Sequence, residues 1–294
     1  MANRQPAAGR LSTVLGRKLG GMLLELRDAR GLTQPQAAAA LTATQTKIVK
    51  IERGFSPVRD PDLHALCDVY GIERSDPLRN RLLGLAQADR ERRRASGWWR
   101  EYTELGDLVE YIQLEDGAAS IRTYQNQLIP GLLQTPHYAR AVAVAHEAWQ
   151  DPDEIEQFVE ARIARQARLT DQRPLELWAV LSEAVLRQQV GGQAAMRGQL
   201  EHLLDSTSLT NVKLQVLPFA AGAHASMSGP FVIVGFEEPA SLDVVYLETA
   251  GSTLWLERDE DANRHRRLFD GVRRSALSPE DSRVLVCDLI KEYR

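Results

Sequence analysis

Residues 31–54 read GLTQPQAAAALTATQTKIVKIERG. Gly31 sits where a helix C-terminus tolerates a left-handed residue. Thr33 is an N-cap for a short helix from Gln34 to Leu41, rich in alanine. Thr42 and Ala43 form a tight break. Thr44 is a second N-cap, and a helix from Gln45 to Arg53 follows, with Ile48 and Ile51 facing inward and Gly54 ending it. The small residues Ala37 and Ala38, with Leu41, let the two helices approach closely. This pattern is a helix-turn-helix.

Working outward, Leu15, Leu19, Met22, Leu23 and Leu26 recur at helical spacing, which predicts a helix over about residues 12–30. A fourth helix fits residues 60–70 (Leu63, Leu66, Cys67, Tyr70). A fifth starts at Ser75-Asp76-Pro77 and carries Leu78, Leu82, Leu85 and Ala86 on one face. Its apolar stripe stops at Asp89, and the arginine-rich run from Arg90 to Gly97 reads as a charged, solvated linker. The expected layout is a flexible arm (1–11), an all-α five-helix domain (12–90), a linker (91–97) and a second domain (98–294) opening at Trp98-Trp99. A chain of 294 residues suits two domains.

The second domain mixes elements. Strands are expected at Ala119–Tyr124, Leu175–Leu181, Val212–Leu217, Phe231–Phe236, Val244–Glu248 and Thr253–Glu257. Helices are expected at Thr135–Glu147, Pro152–Leu169, Ser182–Gln189, Gln193–Ser206, Asp259–Ala276 and Pro279–Tyr293, with Thr135 and Ser278 as caps. Late strands without helices between them predict an α+β domain with a mainly antiparallel sheet. Glu115 and Asp116 read as the end of an element. Ile129–Thr135 reads as a rigid turn that packs its leucines. The small-residue stretch 220–229, carrying His224, reads as a plain hairpin connection in preference to a mobile lid. At least one of Trp98 and Trp99 is expected in the core.

The net charge of −4 hides an asymmetry. Residues 1–100 hold 18 Lys and Arg against 10 Asp and Glu; the remainder hold 18 against 30. A basic end on an acidic body points to a nucleic-acid module joined to something else. The helix at 45–53 places Gln45, Thr46, Lys47 and Lys50 on its outward face. Gln can bond adenine bidentately, Lys can bond guanine, and Thr can touch a thymine methyl. Thr33 and Gln34 stand at a helix start suited to phosphate, and Thr44 opens the helix that presents the outward face.

On these residues the N-terminal region resembles the XRE family (Cro and lambda-repressor type): Gly31-Leu32-Thr33-Gln34, Ala38, Thr44-Gln45-Thr46-Lys47-Ile48 and Ile51-Glu52-Arg53-Gly54. The resemblance implies double-stranded DNA as partner through Thr33, Gln34, Thr44, Gln45, Thr46, Lys47 and Lys50, and an internal structural role for Glu52. Lys50 replaces a neutral polar residue often found there, so base preference does not carry over. Further on, Leu114-Glu115, Ile129-Pro130-Gly131-Leu132-Leu133-Gln134-Thr135, Tyr138-Ala139-Arg140-Ala141, Arg162, Ala164-Arg165-Gln166, Gln199-Leu200, Val216-Leu217-Pro218-Phe219 and Tyr246-Leu247-Glu248 resemble the uncharacterised C-terminal domain of the actinobacterial WhiJ-like regulators. That resemblance implies control through a small partner protein encoded nearby.

The expected function is a sequence-specific transcriptional regulator, cytoplasmic and homodimeric, because one short recognition helix reads few bases. A small-molecule-responsive regulator and an antitoxin-like protein autoregulating its operon are the alternatives. None of the common phosphate-loop, dinucleotide, zinc-protease or serine-hydrolase motifs occurs, so no enzyme, cofactor or metal is expected. No apolar run approaches the length of a membrane span, and the first residues lack the apolar core of a secretory signal. Cys67 and Cys287 both fall in apolar helical patterns and read as buried, reduced thiols.

Overall fold

The computed structural model describes residues 12–94, 97–102, 108–146, 151–237, 243–249 and 252–293. The expected arm at 1–11 lies outside them. The chain divides near residue 96 into two compact units. The first is all-helical; the second is α+β.

The N-terminal unit has helices α1 (Val14–Ala29), α2 (Gln34–Ala40), α3 (Gln45–Glu52), α4 (Asp60–Val69) and α5 (Pro77–Arg94). Thr13 caps α1 by accepting from the Gly16 amide. Val14, Leu15, Leu19 and Leu23 of that helix are buried. The crossing of α1 with α3 is so close that a Cβ on Gly20 would lie 2.4 Å from the Glu52 carbonyl oxygen. Thr33 caps α2 in a full capping box with Gln36, which satisfies two otherwise unpaired donors. Thr44 occupies the cap position of α3 without a side-chain cap bond.

Helix α5 corrects the sequence expectation. It runs on through Arg94, so residues 91–94 are its last turn and not a linker. Asp89 does not end the apolar stripe; it is buried on it, accepting from the Thr13 hydroxyl and from Arg93 Nε at 2.8 Å. Arg93 also donates to the Gly54 carbonyl at 2.5 Å, and Arg90 donates to the Val58 carbonyl at 2.6 Å and pairs with Asp60 at 2.7 Å. Arg93 therefore ties α5 to the exit of α3, and Arg90 ties it to the entry of α4.

The C-terminal unit begins with a 3-10 turn, Trp98–Glu101, in which Trp99 is buried and Trp98 half-buried. It continues through α6 (Leu108–Asp116), β1 (Ser120–Gln125), α7 (Pro136–Ala145), α8 (Pro152–Ala164), β2 (Glu176–Ser182), α9 (Glu183–Arg187), α10 (Gln193–Ser206), β3 (Val212–Leu217), β4 (Phe231–Gly235), β5 (Val244–Thr249), β6 (Ser252–Leu256), α11 (Asp259–Ser275) and α12 (Pro279–Glu292). The six strands form one sheet in the order β3-β2-β1-β4-β5-β6. β1, β2 and β3 run parallel, joined by helical crossovers. β4, β5 and β6 continue as an antiparallel meander, and β4 pairs antiparallel with β1.

Strand alternation gives the sheet two different faces. Tyr124, Val180, Phe231, Ile233 and Val245 pack with Ala262, Phe269 and Val272 of α11. Ile121, Thr123, Leu177, Val232 and Tyr246 point the other way, toward α6 and the 127–134 loop. That loop is fixed by glutamines. Gln199 accepts from the Thr135 amide and donates to the Leu133 carbonyl, while Gln134 donates to the Ile129 carbonyl. Leu132 and Leu133 are buried, as expected of a packing turn.

Three further expectations change. Helix α6 is anticipated in the sequence only by its end, at Glu115 and Asp116. The 220–229 segment is not a hairpin: β3 lies at a sheet edge and β4 beyond β1, so the chain crosses between them. His224 fastens it, with Nε2 3.2 Å from the Tyr124 hydroxyl and Nδ1 accepting from the Ser226 amide. Cys67 is buried but Cys287 is exposed. The buried stripe of α12 is Ser282, Val286 and Leu289, a spacing of four and three that turns Val284 and Cys287 outward. Among the described residues, no helix is long and apolar enough to cross a membrane.

Candidate nucleic-acid interface

The expected DNA-facing surface is built on a buried ion pair. Arg27 of α1 continues the stripe Leu19, Leu23 at a spacing of four and is buried. Its guanidinium donates to Glu52 through Nε at 2.6 Å and Nη2 at 3.3 Å, and through Nη1 to the Leu32 carbonyl at 2.7 Å. The hydrogen bond to Glu52 holds the Arg27 guanidinium above its ordinary value, against the opposing effect of burial. Glu52 thus plays the internal role that the resemblance implies. It ties the helix before the motif to the end of the recognition helix.

The network continues outward. Gln34 Nε2 donates to Glu52 Oε2 at 2.8 Å, and Gln45 Nε2 donates to Gln34 Oε1 at 3.3 Å. A buried carboxylate thereby fixes Gln34, and Gln34 orients the first residue of α3. A preset side chain loses less rotamer entropy on contacting a base. Thr33, Thr44, Gln45, Thr46 and Lys50 are exposed, and Gln34 is half-buried.

Lys47 is half-buried and already paired within the protein. Its Nζ is 2.9 Å from Asp62 Oδ2 of α4, and Arg59 Nε reaches the same oxygen at 3.2 Å. Burial pushes the Asp62 carboxyl up, but the hydrogen bonds from Lys47 and Arg59 outweigh it and hold the group below the usual carboxylate range. Lys47 therefore braces α3 against α4.

Arg27, Asp62 and Asp89 are the buried charges that motif reading alone passes over. Their signal is a charge on an otherwise apolar stripe, as with Arg27 after Leu23 and Asp89 after Leu85 and Ala86. A charge in that place is buried only with a partner.

The turn between α2 and α3 carries strain. Thr42 has φ +49°, a left-handed conformation that a β-branched residue rarely adopts. It is held by the amide of Thr42 donating to the Ala39 carbonyl and that of Ala43 donating to the Ala38 carbonyl.

A family model described as a helix-turn-helix domain matches residues 18–82. A second, described as a domain of unknown function (DUF5753), matches residues 108–288. No curated protein and no solved structure matches the chain.

Proposed function

The chain belongs to the DUF5753 family, and from that premise, with a helix-turn-helix domain ahead of it, we propose that it is a cytoplasmic, sequence-specific transcriptional regulator. In this reading the N-terminal unit binds double-stranded DNA as a homodimer, and the C-terminal unit receives the signal that sets DNA affinity. The observation that carries it is the chain Arg27–Glu52–Gln34–Gln45, which presents a preset polar side chain at the start of an exposed helix. Thr44, Gln45, Thr46 and Lys50 face the major groove, and Thr33 and Gln34 stand beside phosphate. Lys47 acts as a brace. The resemblance to WhiJ-like regulators supports a small protein as the source of the signal.

Fluorescence anisotropy with the DNA upstream of its own coding sequence, over a salt series, tests the reading. Affinity is expected to fall steeply and log-linearly with salt. Gln45→Ala should relax discrimination between operator variants, and Lys50→Ala should weaken operator binding by ~1–3 kcal/mol, the range of a lost base contact. Lys47→Ala should act mainly through stability. Adding the neighbouring small protein should change the affinity. Unchanged operator discrimination in Gln45→Ala would remove that residue from the interface, and no binding to any duplex at low salt would overturn the DNA-binding reading.

A further inference from the structure

The face of the sheet opposite α11 carries a cavity of about 430 Å³, within the range of small-molecule sites. It lies wholly within the C-terminal unit. Its apolar wall is Tyr111, Ile121, Leu132, Leu177, Val232 and Tyr246. Several polar groups on its wall are already committed. Glu115 accepts from Arg165 through both oxygens, at 2.6 and 2.7 Å. Thr123 donates to the Phe231 carbonyl and accepts from Gln125. Gln134 donates to the Ile129 carbonyl.

Arg162 is different. Its Nη1 donates to the neutral Gln134 Oε1 at 3.0 Å, and its guanidinium carbon lies 4.2 Å from the centre of the Phe158 ring. Its Nε is buried with no acceptor. The guanidinium lies over that ring, and its one hydrogen bond goes to a neutral oxygen. Burial first, and then Arg165 alongside, push this guanidinium down to about 10. The two nearby acids do not cancel the cost: Glu115 is bonded to Arg165, and Glu248 stands exposed at the rim. Arg165, by contrast, is held above its ordinary value, because Glu115 outweighs burial. Gly131 leaves room for both guanidinium groups; a Cβ there would sit 3.1 Å from Arg165 Nη1 and 3.6 Å from Arg162 Nη1.

We propose that this cavity is the binding site for a small organic acid, whose carboxylate bonds Arg162 and whose apolar body lies against Tyr111, Ile121, Val232 and Tyr246. A carboxylate there would supply the missing countercharge and a charged acceptor for the guanidinium. The inference is independent of the DNA-binding reading and deepens the question of what the C-terminal unit senses.

The test is calorimetric titration of the full-length protein, without DNA, using octanoate and 4-phenylbutanoate as probes. Octanamide and acetate are the controls that remove the charge or the body. Both acids are expected to bind one per chain, and acetate and octanamide at least about tenfold more weakly. Arg162→Gln should weaken the acids by at least about tenfold while leaving octanamide unchanged. Its thermal midpoint should hold or rise, since an undercompensated buried charge has gone. Leu128→Trp, which fills the cavity from its rim, should remove binding of all four, so the proposal stays testable if Arg162→Gln does not fold. Three results would overturn the proposal: equal affinity for octanoate and octanamide, acid binding unaffected by Arg162→Gln, or no saturable acid binding at about 1 mM.

Discussion

Arg27 meets Glu52 in the helical unit, and Arg165 meets Glu115 in the α+β unit, with the same shortest approach of 2.6 Å in each. All four side chains are largely out of solvent. The two pairs end differently. Glu52 shares one oxygen with Gln34, and the bond passes on to Gln45 at the surface. Glu115 likewise accepts from its arginine through both oxygens, and Arg162 close by donates to a neutral partner, Gln134. The acids are used alike by their arginines; what differs is the neighbour. Beside Glu52 stand neutral amides that carry the hydrogen bonding to the surface, and beside the Glu115 pair stands a second cation.

The largest expected effect tests whether the pairs are equivalent. Removing one partner of a buried pair costs about 3–5 kcal/mol, because the other charge remains. Glu52→Gln and Glu115→Gln should each do this in their own unit. All five tryptophans lie after residue 97, so tryptophan fluorescence reports only the second unit, whereas far-UV circular dichroism reports both. Urea unfolding of Glu52→Gln should shift the dichroism transition and spare the fluorescence one; Glu115→Gln should shift fluorescence. A fluorescence shift in Glu52→Gln, or none in Glu115→Gln, would break the comparison.

A smaller effect sharpens it on the helical side. Thr42 carries a left-handed penalty of roughly 1–2 kcal/mol, of which glycine returns part through its own entropy cost. Thr42→Gly should therefore stabilise the helical unit by about 1 kcal/mol in the dichroism transition. A loss of stability would show that the hydroxyl or methyl of Thr42 matters more than its backbone.

The smallest effect is set by pH. The Asp62 carboxyl is depressed in the fold, so its contribution is fully present above the unfolded value near 4 and fades as pH falls through the folded one. The stability difference between the protein and Asp62→Asn should be flat from about pH 5 upward and shrink below about pH 4. It should also diminish with salt, because the group keeps some solvent contact. A difference that persists unchanged at pH 3 would assign the effect to packing.

The helical unit was largely legible because its signals are local. Thr33, Gly31 and the spacing of Ile48 and Ile51 all lie within one stretch, and each observed helix begins within about two residues of its expected start. α10 and β3 were equally clear, the one opened by Gly191-Gly192 and the other by a run of alternating large apolar residues. Helix α6 showed only its end, at Glu115-Asp116, because Leu108-Val109-Glu110-Tyr111-Ile112 mixes β-branched and aromatic residues that favour a strand as much as a helix. Tertiary packing of Tyr111, Ile112 and Leu114 overrides that preference. The cavity was illegible for another reason. Glu115 and Arg165 are fifty positions apart, and sequence spacing carries no sign of which acid answers which base.

The last turn of α5 bears on how such proteins exchange parts. The Arg93 guanidinium holds the carbonyl of Gly54, where α3 stops. A joint placed at Asp89, where hydropathy suggests the reader is finished, would pass on every helix start yet leave that stop untied. The smallest heritable module of this architecture therefore extends past Arg93, and a new sensor grafted onto it must begin after the arginine run.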